Sequence, residues 1–280
     1  MVFINVLTYN ISWATQANKV LGSEADFVKA CQKKYKLGGV QCINNAINNL
    51  SKLPSLDLIG LQEVNSEIEK KIMKVQSNLK KFIMATEGLS SVSILWNPNI
   101  LGILQYKTSF NLVKNDDRPC LIILLYNNKT DNYFLIINVH MPWGDKFKEA
   151  IKNINKNINN DKIIMDAINK NKDIKIIMTG DFNDSSTKIS KYSPLILKSK
   201  NKTIKLRYNK TKKEANKTLK SCCWHEAGHK YKHFSDTGDY ILVNKNIKQI
   251  NIKIPEIFKK RGRENRLFSD HMPVFSKLFI

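Results

Sequence analysis

Apolar and polar positions along the 280-residue chain follow two rhythms. Short, almost unbroken apolar runs read as buried strands: MVFINVLTYN, DLIGLQE, SVSILWN, LGILQYK, CLIILLY, NYFLIINVH, IKIIMTG and DYILV, with SDHMPV opening a last one. Between them apolar residues return every three or four positions. Cys42, Ile43, Ala46, Ile47 and Leu50 form one such stripe, Ile68, Ile72, Val75 and Leu79 a second, and Phe147, Ile151, Ile154 and Ile158 a third. That spacing predicts helices with one buried face. SVSILWN and LGILQYK, separated by Pro98-Asn99, are expected to be adjacent strands, and CLIILLY and NYFLIINVH to be joined across NNKTDN. The alternation describes a layered α/β protein with a mixed sheet or two packed sheets. Residues 1–280 are expected to form one domain. The stretch between Asp184 and Cys222, rich in lysine with only Glu214 opposing, is expected to be a long surface excursion.

Polar residues gather at or just beyond the ends of the apolar runs: Asn10, Glu63, His140, the Asp181-Phe182-Asn183 group, Asp239 and the Asp270-His271 pair. Strands laid side by side would bring these residues to one edge of a buried sheet. Such an edge could bind a divalent metal and a phosphate together.

Charge adds a partner to this picture. The formal net charge is +22, and a polyanion such as DNA or RNA is attracted to cationic surface and releases counterions on binding. Lysine, asparagine and isoleucine are abundant throughout, a bias an AT-rich genome produces without selection for binding. Arginine is scarce, so its placement is more informative: Arg261, Arg263 and Arg266 lie in KKRGRENRLFSDH, directly before the Asp270-His271 pair, and Arg118 precedes CLIILLY. These four are candidate phosphate contacts. The five cysteines, Cys31, Cys42, Cys120, Cys222 and Cys223, are odd in number and irregularly spaced. They read as a poor disulfide framework and favour a reducing, intracellular location, cytoplasmic or nuclear, without a disulfide-linked partner. No basic leader or membrane-length apolar run is seen, so a soluble, unexported protein is expected.

The residue types suit phosphoester hydrolysis. Catalysts typically remove roughly 8–23 kcal/mol of barrier, whereas proton transfer alone supplies about 10²–10⁴-fold, so a metal and fixed donors are needed. Glu63 offers a hard oxygen ligand to Mg²⁺, with Mn²⁺ as a substitute, and Asp270 a second. Asn10 can add a carbonyl or hold the ligand sphere. Asp181 can orient and deprotonate water, with Asn183 fixing it or donating to the substrate. Asp270 beside His271 suits a carboxylate orienting an imidazole that stabilises charge on phosphorus, and His140 can bind phosphate or protonate the leaving oxygen.

From TYN at Asn10 through LQE at Glu63, Arg118-Pro119, NVH at His140, GDFN at Asp181 and Asn183, DYILV at Asp239, to SDHMPV at Asp270 and His271, the order of motifs resembles the endonuclease/exonuclease/phosphatase superfamily. The resemblance covers nearly the whole chain. It implies a four-layer sandwich of two mixed β-sheets flanked by helices, the site at one end of the sheets, and Asp239 supporting the catalytic edge. It implies a metal-dependent nuclease or phosphodiesterase. Within that family, histidine rather than tyrosine at position 140 and Ser12 after Asn10 weaken an abasic-site repair role. The alternatives are a phosphatase of phosphoinositides or other small esters, and a catalytically silent nucleic-acid-binding module.

One rival motif competes. His225-Glu226-Ala227-Gly228-His229 matches HExxH, which on a helix places two histidines on zinc. Gly228 within it, the missing apolar stripe and the turn that follows favour an ordinary loop. A zinc protease, and a structural zinc site completed by His233 and Cys222-Cys223, are the weighed alternatives. Trp224, ahead of Asp239, is a candidate for stacking on a base.

Overall fold

In the computed structural model, residues 2–20, 25–87, 90–183, 196–199, 202–206, 221–224, 234–236, 238–259 and 268–280 are described. Two mixed sheets carry the molecule. The first has the strand order β14 (Lys248–Lys253), β15 (Val274–Phe279), β1 (Phe3–Asn10), β2 (Leu58–Gln62), β4 (Ser90–Trp96), β3 (Lys81–Glu87). The second runs β13 (Asp239–Val243), β8 (Lys175–Asp181), β7 (Asn132–His140), β6 (Asp116–Asn127), β5 (Ile103–Val113). Each contains a parallel pair at its centre, β1 with β2 and β7 with β8, among antiparallel neighbours.

The apolar runs are unbroken because both faces of these strands are covered. Ile4, Val6, Leu58, Ile94, Ile123, Ile136, Ile177 and Ile241 fill the layer between the sheets. Opposite faces pack on helices. The first sheet is covered by α2 (Ala25–Lys34), α3 (Gly38–Leu50), α4 (Ser66–Val75) and α8 (Glu256–Lys259), through Phe27, Ile43, Ile47, Ile72 and Phe258. The second is covered by α6 (Lys146–Asn160) and α7 (Lys162–Lys170), through Phe147, Ala150, Ile154, Ile158, Ile164 and Ile168. Helix, sheet, sheet, helix is the four-layer sandwich that the resemblance implied. Side-chain caps set helix starts, as where Asn65 Oδ1 accepts from the Ile68 N–H at 3.0 Å and Asp161 Oδ1 from the Ile164 N–H at 3.0 Å.

The structure departs from the pattern-based reading in four places. SVSILWN and LGILQYK are not neighbours, because the short helix α5 (Pro98–Leu101) carries the chain from β4 in one sheet to β5 in the other. Leu79 is buried but lies past the end of α4, and Ile151 is only partly buried. The described part of the lysine-rich stretch is not merely a surface excursion. It contains the hairpin β9 (Ile196–Ser199) and β10 (Lys202–Lys205), and Ile204 and Leu206 enter the layer beneath α6. Finally, Cys31 and Cys42 form a disulfide between α2 and α3, with Cα atoms 6.3 Å apart. The odd count concealed this local pair, and with it the cysteine argument for a reducing compartment falls. Among the described residues Cys120 is a free, buried thiol, and no helix is long and apolar enough to cross a membrane.

A polar seam crosses the otherwise apolar interface between the sheets. Gln62 Nε2 donates to Asn138 Oδ1 at 2.7 Å, Thr179 Oγ1 donates to the same oxygen at 3.0 Å, and Asn138 Nδ2 donates to the Leu61 and Ser93 carbonyls. Gly60 makes the close approach feasible, since a Cβ there would fall 2.0 Å from Thr179 Oγ1. This seam ties the two sheets together directly behind their polar ends.

Candidate functional site

The strand register dictates what meets at the sheet ends. Asn10 closes β1 opposite Gln62 of β2, so Glu63 follows at the same edge. In the second sheet His140 pairs with Asp181, and Asp181 with Asp239 on its other side. β1 packs over β8 and β13, and the Asp270-His271 segment precedes β15, whose first residue pairs with Thr8. All six polar clusters predicted to meet do so.

Hydrogen bonds join them into one network. Asn10 Nδ2 donates to Glu63 Oε1 at 3.1 Å and to Asp181 Oδ2 at 3.0 Å, while its Oδ1 accepts from the Ser12 N–H at 2.9 Å. Asn10 thus holds two carboxylates, while its carbonyl oxygen accepts one hydrogen bond. Glu63 Oε2 accepts from the Trp13 N–H at 2.8 Å. Asp181 Oδ1 accepts from the Asn183 N–H at 2.8 Å, and Asn183 Nδ2 donates to the Met141 carbonyl at 2.7 Å. His271 Nδ1 lies 3.0 Å from Asp239 Oδ2, leaving Nε2 facing Asp181 Oδ2 at 3.6 Å. His140 Nε2 lies 3.5 Å from Glu63 Oε1 and 3.7 Å from Asp181 Oδ2. The Arg118 guanidinium packs against the His140 ring nitrogens, and Ser90 Oγ reaches His140 Nδ1 at 3.1 Å. Glu63 and Asn183 have φ of 54° and 47°. The left-handed conformation is common for Asn but uncommon for Glu, so Glu63 carries local backbone strain.

Burial and charge set the proton affinities. For Asp181, burial pushes the carboxyl up to about 7, with Asp239 adding to this against the opposing pull of His271. Burial likewise raises Asp270 to about 6, opposed by His271 and reinforced by Glu63. Burial also acts upward on Glu63, but His140, the Trp13 N–H and the Asn10 amide outweigh it and hold this carboxyl below its ordinary value. His140 is driven down to about 3 by burial, with Arg118 and His271 also repelling its charge. In His271 burial acts downward, yet the carboxylates of Asp239, Asp181 and Asp270 raise it well above the usual imidazole range. Burial thus opposes charging of His140, while the surrounding carboxylates favour the charged form of His271.

Among the described residues, the carboxyl groups of Glu63, Asp181, Asp239 and Asp270 gather around His271, with Arg118 against His140 as the other cation nearby. A cation fits this excess. Asp239 is 2% exposed and its Oδ1 has no hydrogen-bonding partner, and single ligand atoms of Asp181, Asp239 and His271 lie within 4.8 Å of one another. The carboxylate oxygens here, with no thiolate beside them, suit Mg²⁺ or Mn²⁺. The sequence reading placed Asn10, Glu63 and Asp270 around the ion. The ligand atoms grouped within 4.8 Å are instead those of Asp181, Asp239 and His271, none of them in that set.

An open cleft of about 200 Å³ adjoins the network, lined by Trp13, Glu63, Ser90, Asp116, Asp117, Arg118 and His140. Several contributors escaped the sequence reading. Ser269 Oγ donates to the Asn10 carbonyl at 2.9 Å and accepts from the His271 N–H at 3.2 Å, and Ser221 Oγ accepts from the Asp239 N–H at 3.2 Å. Ser269, directly before Asp270, could have been found from its place in SDH. Ser90, Ser221 and Trp13 carry no comparable signal. Arg261, Arg263, Arg266, His233 and the HEAGH segment from His225 to His229 lie outside the described residues. Cys222, Cys223 and Trp224 form β11 (Cys222–Trp224), paired with β12 (Phe234–Asp236), and their side chains lie outside the described set.

This arrangement, a buried carboxylate, amide and imidazole set at the end of two stacked mixed sheets, defines the fold class. No protein-family model matches the sequence. No curated protein matches it either. Solved structures do. The endonuclease/exonuclease/phosphatase protein of Bacteroides vulgatus superposes with a TM-score of 0.62 at 14% identity, covering 100% of both chains. ANGEL2, a 2′,3′-cyclic phosphatase, gives a TM-score of 0.63 at 14% identity over 99% of this chain and 95% of its own. The mannosyl-6-phosphatase of Bacteroides thetaiotaomicron gives 0.56 at 17% identity over 99% and 100%. The chain has the fold of the endonuclease/exonuclease/phosphatase proteins.

Proposed function

We propose that residues 1–280 form one catalytic unit, a divalent-cation-dependent phosphoester hydrolase acting on the phosphodiester backbone of DNA or RNA. Mg²⁺ is the expected ion and Mn²⁺ a substitute. One observation carries the reading: Glu63, Asp181 and His271, far apart in the chain, stand at one buried edge, with Asn10 bridging Glu63 and Asp181 and His271 facing Asp181.

Each residue then has a defined task. Glu63 and Asp270 would hold the cation, with Asp239 available as a further donor and Asn10 orienting the ligand sphere. When bound, the cation supplies charge neutralisation and polarisation of a phosphoryl oxygen. Asp181, fixed by Asn10 and the Asn183 N–H, orients water and accepts its proton. Asp239 keeps Nδ1 of His271 protonated, so Nε2–H is directed at the phosphoryl group as negative charge develops there. Arg118 and His140 line the cleft as donors to phosphate oxygens. The net charge of +22 favours a polyanionic substrate.

The second reading keeps the chemistry and exchanges the substrate for a small phosphate ester, favoured by the modest cleft of about 200 Å³. The two separate in one assay of the intact protein with Mg²⁺ and with chelator. The substrates are single-stranded and duplex DNA, RNA, a 2′,3′-cyclic nucleotide, a sugar phosphate and inositol phosphates. Cation-dependent cleavage of DNA or RNA supports the first reading, and preference for sugar or inositol phosphates the second. Binding without turnover of any would replace both with a silent binding module.

A further inference from the structure

Trp13 is the one residue lining the cleft beside Glu63 that carries no charged or hydroxyl-bearing side chain or imidazole. Ser90, Asp116, Arg118 and His140 offer charges and hydrogen-bonding groups, whereas Trp13 contributes a flat aromatic ring. We infer that Trp13 is a specificity-determining residue, the wall on which a planar ring attached to the phosphate stacks. The ligand class is thereby a phosphoester of an aromatic group such as a nucleobase-bearing nucleotide. This rests on the reading of the cleft as a phosphoester site.

The placement of the ring is built rather than incidental. Trp13 opens the one-turn helix α1 (Trp13–Gln16), and its own N–H donates to Glu63 Oε2 at 2.8 Å. The aromatic wall and the carboxylate expected to hold the cation are therefore spaced by a single main-chain contact. That turn is pinned from behind. Ser12, at φ 66°, caps it through its Oγ, which accepts from the Thr15 N–H at 3.2 Å and lies 2.6 Å from Thr15 Oγ1. Gly39 of α3 touches it so closely that a Cβ there would sit 2.1 Å from the Thr15 carbonyl oxygen, and the Gly39 N–H donates to Asn18 Oδ1 at 2.9 Å. The Lys19 ammonium stands over the indole, 5.2 Å from the ring centroid, which holds the ring in place by cation–π attraction.

A phosphate seated among Arg118, His140 and Glu63 brings its ester group alongside this ring. Stacking of a base on an aromatic side chain changes affinity by about 10- to 100-fold. A sugar phosphate, having no flat face, gains only the polar contacts.

The test uses the full chain with Mg²⁺ and compares wild type, Trp13→Ala and Trp13→Phe. Because the contact to Glu63 runs through the main chain, both substitutions leave that donor in place. Calorimetry with adenosine 5′-monophosphate and with glucose 6-phosphate reads binding, and KM is measured on a dinucleotide and on the sugar phosphate. Trp13→Ala is expected to weaken adenosine 5′-monophosphate binding and raise the dinucleotide KM by about tenfold or more, the corresponding sugar phosphate values moving by less than about threefold. Trp13→Phe is expected to restore most of the difference. Equal loss for both ligands, an unchanged nucleotide affinity in Trp13→Ala, or no phosphate binding at all by the wild type overturns the inference. Selective nucleotide binding without turnover of any phosphoester would sink the hydrolase reading and leave this one standing, and turnover without that selectivity would do the reverse.

Discussion

His271 Nδ1 lies 3.0 Å from Asp239 Oδ2, with both residues buried, and this contact decides which way the imidazole presents its other nitrogen. A carboxylate holding Nδ1–H fixes the tautomer and strengthens the cationic form. Asp239→Asn should lower kcat by about 10²–10³-fold, the cost typical of losing a fixed charge-stabilising donor, while circular dichroism and thermal midpoint remain near wild type. A kcat within threefold of wild type would show that His271 needs no such partner.

Asn10 separates two carboxylates that would otherwise repel. Asn10→Asp places a third beside Glu63 and Asp181 and removes the amide that bridges them. The variant should be less stable than wild type without metal and should gain more in thermal midpoint on adding Mg²⁺, because ion binding to the native state alone stabilises it. Glu63→Gln should instead shrink the Mg²⁺-induced rise. Equal metal-induced shifts in all three proteins would place the ion elsewhere.

Glu69 of α4 is fully buried, and burial pushes its carboxyl from 4.5 up to about 6, with Ser93 and Lys70 opposing only in part. The native state therefore keeps a proton that the unfolded chain releases between these values. Stability from this group is present below 4.5 and is lost as pH rises to about 6, a change of about 2 kcal/mol. Glu69→Gln should flatten that part of the stability profile and raise the thermal midpoint at pH 8. An unchanged profile would mean the carboxyl is solvated.

Gly60→Ala would thrust a Cβ to 2.0 Å from Thr179 Oγ1 and 2.8 Å from Asn138 Oδ1, across the polar seam between the sheets. A loss of about 1–3 kcal/mol in denaturant unfolding is expected, the range for overpacked interiors. No loss would mean the sheets can part locally.

The Cys31–Cys42 disulfide closes a loop with a sequence separation of 11 residues. Chain-entropy arguments put its contribution at about 3 kcal/mol. Cys31→Ser with Cys42→Ser should lower stability by that order in non-reducing buffer and remove the sensitivity of wild type to reductant. A wild-type midpoint indifferent to reductant would show that the bond contributes nothing.

What could be read from the chain follows from the range of each signal. Strands buried on both faces announce themselves as apolar runs, so β1, β2, β7, β8 and β13 and the polar residues at their ends were visible. The motif order then supplied the stacking of the two sheets, which periodicity alone left open. Which strand joins which sheet depends on crossovers, and α5 moved β5 away from β4 without any mark in local pattern. Ser90 and Ser221 act through contacts made only after folding, and an isolated serine has no spacing to reveal it. The Cys31–Cys42 bond was hidden for the opposite reason: an odd total drew attention from a pair brought together by two neighbouring helices.

The proposed hydrolysis requires Asp181 to accept a proton from water beside a bound cation. The direct measurement is single-turnover hydrolysis of DNA and RNA by wild type and Asp181→Asn at saturating Mg²⁺, with substrate binding measured alongside. Substrate binding within a few-fold of wild type and a rate reduced by about 10³-fold or more is the predicted result. Hydrolysis by Asp181→Asn at close to the wild-type rate would contradict it.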